Sequence, residues 1–297
     1  MFVNRQENTE NKDLDNGKDL NYYLNLTKGF KSSFKDFDIK QVDGFNVIDE
    51  STSNPVGFKA RAGELLMTKI EEDEIVYVQP RNGFAGISLS YLCKMYNKKL
   101  TLIMPSSKVS SNHQRLCIQY GAKAKFIRVA AMNNANSIAK KYAKKQGAFF
   151  IPLGLKHELV TAMAVRSIYD HFKDKDKPKR MWCVISTGVL SRALQIALPS
   201  TEFFNIAVSR NIQQGELGKA KFFSYHKPFN AKSDLVPDGF NCEPCYDSKG
   251  WDYLNRHGKE GDWFFSVAGK AEESKIKPEE VDSRRDWNDL RDFKDLI

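Results

Sequence analysis

Apolar residues in this chain fall into short dense runs, separated by longer stretches in which they return every three or four positions. The runs at 75–78, 100–104, 125–129, from 149, 181–185 and 204–208 are short and apolar enough for strands buried on both faces. The stretches 62–70, 86–95, 111–120, 134–146, 157–172 and 191–197 carry the helical period. Gly121 is placed as a helix C-cap and Gly147 as a helix end. Strands alternating with helices predict an α/β fold whose parallel sheets are covered on both sides. In such folds ligands bind beyond the carboxyl ends of strands. The loops 79–86 and 186–190 leave two such ends.

The chain ends break this rhythm. Residues 1–20 are mostly Asn, Asp, Glu and Lys, and a mobile tail is expected there. Residues 21–50 mix aromatic and charged side chains, and are expected to lie across the surface of the main domain. Beyond 215 the pattern loosens, and 271–297 is a strongly charged C-terminal segment.

Composition narrows the classes. A chain of 297 residues suits one large or two medium domains. It has no run of 18 apolar residues, so no membrane-spanning helix is expected. The polar start lacks the pattern of a secretory signal. Five cysteines at irregular spacing argue for reduced thiols, and with them a cytoplasmic location. Cys242 and Cys245 form a lone C-x-x-C pair, and no metal site is expected. The formal charge of +9 is concentrated in 94–99, 123–145 and 173–180. Such runs are usually solvated faces, while a net positive surface also favours polyanionic partners.

Four motifs carry candidate chemistry. Lys59 stands in Asn54-Pro55-Val56-Gly57-Phe58-Lys59-Ala60-Arg61. A lysine amine is a nucleophile once deprotonated, and burial favours that form. Arg81 precedes Asn82-Gly83-Phe84-Ala85-Gly86, and its guanidinium suits an anionic group. Ser186-Thr187-Gly188-Val189-Leu190-Ser191 joins a strand to a helix. It reads either as a phosphate turn on a helix N-terminus or as a Ser/Thr-capped helix start. Glu243-Pro244-Cys245-Tyr246-Asp247-Ser248-Lys249-Gly250 reads either as a turn or as part of a site.

Together these motifs resemble the pyridoxal-phosphate enzymes of fold type II, the tryptophan-synthase β-like group. That group includes cysteine synthase, D-cysteine desulfhydrase and aminocyclopropane-carboxylate deaminase. The resemblance spans about residues 50–270. It implies two parallel-sheet three-layer sandwiches: a large cofactor-binding domain from 21–80 and 150–270, and a smaller α/β domain at 81–149. It implies pyridoxal 5'-phosphate as cofactor, Lys59 as the Schiff-base lysine that can also move the α-proton, and Tyr246 as a second catalytic residue. Cofactor contacts would come from Asn82, Ser186, Thr187, Gly188, Val189, Leu190 and Asp247, the last at the pyridine nitrogen. Arg81, Asn82, Gly83 and Phe84 would contact substrate. Phe84 departs from the ring-facing Asn of the cysteine synthases.

The implied reaction breaks a bond at the α-carbon of an amino-acid-type amine, by elimination, deamination, replacement or decarboxylation. The altered loop and basic charge suggest a relative acting on an amino-acid-modified thymine base in phage DNA, in the host cytoplasm. A homodimer is the family habit. The other reading is an inactive fold type II homologue kept as a binding module.

Overall fold

The computed structural model describes residues 18–128, 132–208 and 218–281. The tail expected at 1–20 lies outside the described residues through 17, as do Val129 and the charged segment after 281. In chain order the elements are α1 (Leu20–Leu26), β1 (Asp38–Val42), β2 (Phe45–Asp49), α2 (Glu50–Ser53), α3 (Phe58–Met67), β3 (Glu74–Val78), α4 (Ala85–Met95), β4 (Lys99–Pro105), α5 (Asn112–Gln119), β5 (Lys123–Ile127), α6 (Met132–Gln146), β6 (Phe149–Phe150), α7 (Glu158–Phe172), β7 (Arg180–Ile185), α8 (Val189–Ala197), β8 (Glu202–Ala207), β9 (Lys221–Ser224), α9 (Asp247–His257) and β10 (Trp263–Ser266). The chain divides into two compact units.

The larger unit takes in Met1–Leu65 and Glu158–Lys270. Its six-stranded sheet runs β1-β2-β10-β7-β8-β9, parallel throughout except for the β1–β2 hairpin. Asp43 and Gly44 turn that hairpin with φ of 49° and 79°, as a two-residue I′-type turn needs. Residues 38–49 are therefore sheet, not a surface segment as the sequence suggested. Val47 and Ile48 of β2 are fully buried. The core stacks Trp182 on Phe204 with ring centroids 4.3 Å apart, and gathers Trp251 and Phe264 beside them. A Cβ on Gly250 would lie 2.5 Å from Val184 and 2.8 Å from Phe264, so glycine lets α9 approach the sheet.

The smaller unit takes in Leu66–His157 and Ala271–Ile297. Its sheet runs β5-β4-β3-β6, all parallel. β3 pairs with β4 across Glu74–Val78, which brings this unit's start earlier in the chain than the boundary expected at 81. Val76, Val78, Ile103 and Ile127 pack against Ala135, Ala139 and Ala143 of α6. Residues after 270 strap α5: Asn112 donates to the Glu272 carbonyl at 2.7 Å, and Tyr120 donates to the Glu272 carboxylate at 2.8 Å.

Candidate active site

In the larger unit, α2 ends at a turn organised by Asn54. This buried side chain accepts from the Val56 N–H at 3.2 Å and donates to the Gly57 carbonyl at 2.9 Å. Gly57 takes φ of 81°, a conformation L side chains avoid. The Phe58 N–H then donates to the Val267 carbonyl at 2.8 Å. Helix α3 accordingly starts at Phe58 rather than near 62, and half-buried Lys59 stands in its first turn. Beneath the turn, Arg61 grips Glu50 through two nitrogens, at 2.9 and 3.1 Å. Its guanidinium also lies 4.5 Å from the Phe37 ring centroid. Both members of the ion pair are buried.

The turn 186–188 joins β7 to α8. Gly188 is the N-cap, at φ of 75°, and no side chain caps the helix. The reading of a Ser/Thr-capped start therefore fails, and the first N–H groups of a nine-residue helix are left for another acceptor. Ser186 and Thr187 are half-buried, while Val189 and Leu190 sit in the first turn. Ser191 is turned inward instead. Its hydroxyl accepts from Asn205 at 2.7 Å and Gln195 at 2.9 Å.

Asp247 opens α9, so Asp247-Ser248-Lys249-Gly250, the turn-like part of its motif, is helix, and the turn lies before it at 244–246. The side chain is fully buried. One carboxyl oxygen accepts from the Val267 N–H at 3.0 Å and the Ala268 N–H at 3.3 Å. The other oxygen is buried with no partner. Burial pushes this carboxyl well above the ordinary range, the two N–H groups oppose the shift, and Glu243 and Asp49 add to it. Ser266, the last residue of β10, holds a second buried hydroxyl with no partner. Tyr246 donates to the Val184 carbonyl at 3.4 Å, and burial raises its phenol.

These residues share one end of one sheet. β2, β10 and β7 run parallel, with Ser266 opposite Asp49 and Phe265 opposite Cys183. Lys59 follows β2, Asp247 bonds the residues just past β10, and Ser186 follows β7. The sheet thus gathers a lysine, an uncapped helix N-terminus and a half-partnered carboxyl at strand carboxyl ends.

The loop 79–84 belongs to the smaller unit. Buried Gln79 organises it by donating to the Gly83 carbonyl and accepting from the Gly86 N–H, at 2.9 and 2.8 Å. Exposed Arg81 is held by hydrogen bonds to Ser107 and, at 3.1 Å, to the Val109 carbonyl. The Phe84 ring meets His113 edge-on, with centroids 5.6 Å apart. Asn82 and Gly83 are half-buried beside them. Sequence reasoning missed Gln79 and Ser266. Each is a polar residue at the end of an apolar strand, Gln79 just past β3 and Ser266 closing β10, and that is the signal that marks them.

No protein-family model matches the chain, and no curated protein matches it by sequence. Solved structures do match in fold. An ACC deaminase homologue superposes with a TM-score of 0.69 at 13% identity, covering 93% of this chain and 99% of that one. Threonine deaminase isoform 2 from Solanum lycopersicum gives 0.68 at 11% identity, covering 98% and 97%. A pyridoxal 5'-phosphate-dependent aspartate racemase gives 0.62 at 11% identity, covering 89% and 96%. The chain has the fold type II architecture of two parallel-sheet α/β layers.

Proposed function

We propose that this protein is a pyridoxal-phosphate-dependent enzyme that breaks a bond at the α-carbon of an amino-acid-type amine. The observation that carries the reading is Asp247: a fully buried carboxyl with one oxygen unpartnered, tied through Val267 to the turn that presents Lys59. A buried orphan acceptor of this kind is costly unless something is to be bound there.

The residues fit the cofactor. The α8 N-terminus, with the N–H groups of Gly188, Val189 and Leu190 and the hydroxyls of Ser186 and Thr187, suits a phosphate. Asp247 would take the proton-bearing pyridine nitrogen, with the Ser266 hydroxyl at the neighbouring strand end. Bound there, pyridoxal phosphate supplies an electron sink for the carbanion that forms when the α-carbon bond breaks. Lys59 would hold the cofactor and, once released by substrate, move a proton at the α-carbon. Tyr246 would line the substrate. Asn82 replaces the usual hydroxyl at the start of its loop and is assigned to the cofactor's ring oxygen. Arg81, Gly83 and Phe84 are assigned to substrate, the Arg81 guanidinium, hydrogen-bonded to Ser107 and the Val109 carbonyl, to an anionic group of it.

The test is an absorption spectrum of protein supplemented with pyridoxal phosphate, before and after borohydride, in wild type and Lys59→Ala. The expected result is a visible band that borohydride fixes to Lys59 and that the variant lacks. A wild type with no band overturns the reading in favour of a binding module without the cofactor.

The finer reading places the amine on a modified base in DNA. The unequal charge of the two units favours it, since the excess of cations lies in the smaller one. Turnover of free amino acids, with none on amine-bearing DNA, would exclude it.

A further inference from the structure

From residue 75 to 157 the chain has 14 Lys and Arg and, over 83 residues, not one Asp or Glu. At the chain's average content such a stretch would carry about ten carboxylates. All other residues together hold 32 cations against 37 carboxylates. The whole excess of positive charge thus lies in one stretch, which is most of the smaller unit.

The fold concentrates part of it on one layer. β3, β4 and β5 follow one another across the sheet, and the chain then returns through α6 to β6 on the far side of β3. Right-handed crossovers place α6 on the face opposite α4 and α5. On α6, Ala135, Ala139 and Ala143 face the sheet, while Lys140, Lys141, Lys144 and Lys145 are exposed. Beside α6, edge strand β5 turns Lys123 and Lys125 to the same layer. Lys125 pairs in register with Ile103, which packs under α6, and its Nζ lies 5.4 Å from the ring centroid of Tyr142 on α6. Of the described acidic residues after 270, Glu272 lies in the other layer, where it meets Asn112 and Tyr120 around α5.

This arrangement works against helix stability. Lys140 and Lys144, and Lys141 and Lys145, are like-charge pairs four residues apart, which repel one another along the helix. The basic run 173–180 of the larger unit is built differently: Lys173 meets Asp170 at 3.6 Å, and Arg180 meets Asp262 at 3.2 Å. One basic segment carries its own counter-charges, and the other has none in its sequence.

We propose that the α6–β5 face binds the phosphate backbone of duplex DNA. Flexible ammonium groups in number suit a sequence-independent polyanion. The face offers lysines rather than exposed rings, Tyr142 being half-buried beneath Lys125, and this favours a duplex backbone over the stacked bases of a single strand. The inference rests on charge placement and not on the amine chemistry.

The test is fluorescence anisotropy of the whole protein with a labelled duplex over a salt series. It compares wild type, a variant with Lys140, Lys141, Lys144 and Lys145 all changed to Gln, and a control with Lys173, Lys177 and Lys179 changed to Gln. Wild type should bind with log affinity falling linearly in log salt. The α6 variant should bind about tenfold or more weakly, with a slope shallower by roughly one for each phosphate it no longer neutralises. The control should match wild type. Equal weakening in both variants overturns the assignment of a face. So does absence of binding at low salt, or binding to anionic phospholipid vesicles in place of DNA. Circular dichroism checks that each variant is folded. The spectrum with pyridoxal phosphate should be the same in all three, which separates failure of this inference from failure of the amine chemistry.

Discussion

The Val267 N–H donates to the Asp247 carboxyl at 3.0 Å, and the Val267 carbonyl accepts from Phe58, the residue before Lys59, at 2.8 Å. One residue past β10 thus fixes both the buried acid and the start of the lysine helix. Neither Asp247 nor Lys59 can shift without breaking a backbone bond to the same strand end.

Asp247→Asn should separate the acid's two effects. Burial keeps this carboxyl well above its ordinary range, so in the cofactor-free protein it holds its proton to higher pH than the unfolded chain, which ionises near ~3.9. The folded state then binds more protons, and the stability of wild type falls as pH rises above ~4. The Asn variant lacks that dependence. Its thermal midpoint relative to wild type should rise as pH increases from ~4, while its affinity for pyridoxal phosphate drops about tenfold or more. A midpoint difference that moves the other way with pH would show Asp247 to be ionised in the folded protein.

Arg61→Ala should be among the most destabilising single changes near Lys59. It strands the Glu50 carboxylate in the core, and breaking a buried pair costs about 3–5 kcal/mol. Changing Glu50 to Leu and Arg61 to Met together should recover much of that stability. Urea unfolding of the three variants measures both quantities. A double variant no better than the single would show that packing of Arg61 on Phe37 dominates.

Gly86→Ala should damage the smaller unit alone. Its Cβ would overlap the Gln79 side-chain oxygen, lie 2.6 Å from the Gln79 Cδ and stand 3.1 Å from the Cys117 sulfur. The expected cost is about 1–3 kcal/mol. Hydrogen exchange should show faster opening of α4 and the 79–84 loop, with protection of the six-stranded sheet unchanged.

His113 should be silent over the physiological range. Burial pushes its imidazole down to about 4. The unfolded chain takes up a proton near ~6.5 and the folded one only near 4, so this residue makes stability fall as pH drops through that window. Its ring resonances in an NMR titration should stay constant from about pH 8 to 5.5. Movement centred near 6.5 would place the ring in water rather than against Phe84.

The alternation of apolar runs and helical periods located the parallel strands 74–78, 99–105 and 180–185 to within a residue or two, because both faces of each are buried and the runs are dense. The β1–β2 hairpin was misread although Asp43-Gly44 marks it, because its strands mix polar and aromatic residues and β1 is an edge. The early start of α3 at Phe58 depends on Val267, which is remote in sequence. The inward turn of Ser191 depends on Asn205, only 14 residues on but carried by the next strand, β8. Local periodicity reports which face is buried, and it is blind to a hydrogen bond made across two hundred residues.

The strand order has a consequence for synthesis. β3, β4, β5 and β6 of the smaller sheet are finished once residue 150 leaves the ribosome. β2 waits for its neighbour β10, made more than two hundred residues later. Pairings of such long sequence separation form slowly. Until β10 arrives, β2 has an open edge, and the turn before Lys59 lacks the carbonyl that anchors Phe58. The nascent chain therefore holds a complete, basic four-stranded sheet before the lysine turn is set, and the last strand to enter the larger sheet completes the site.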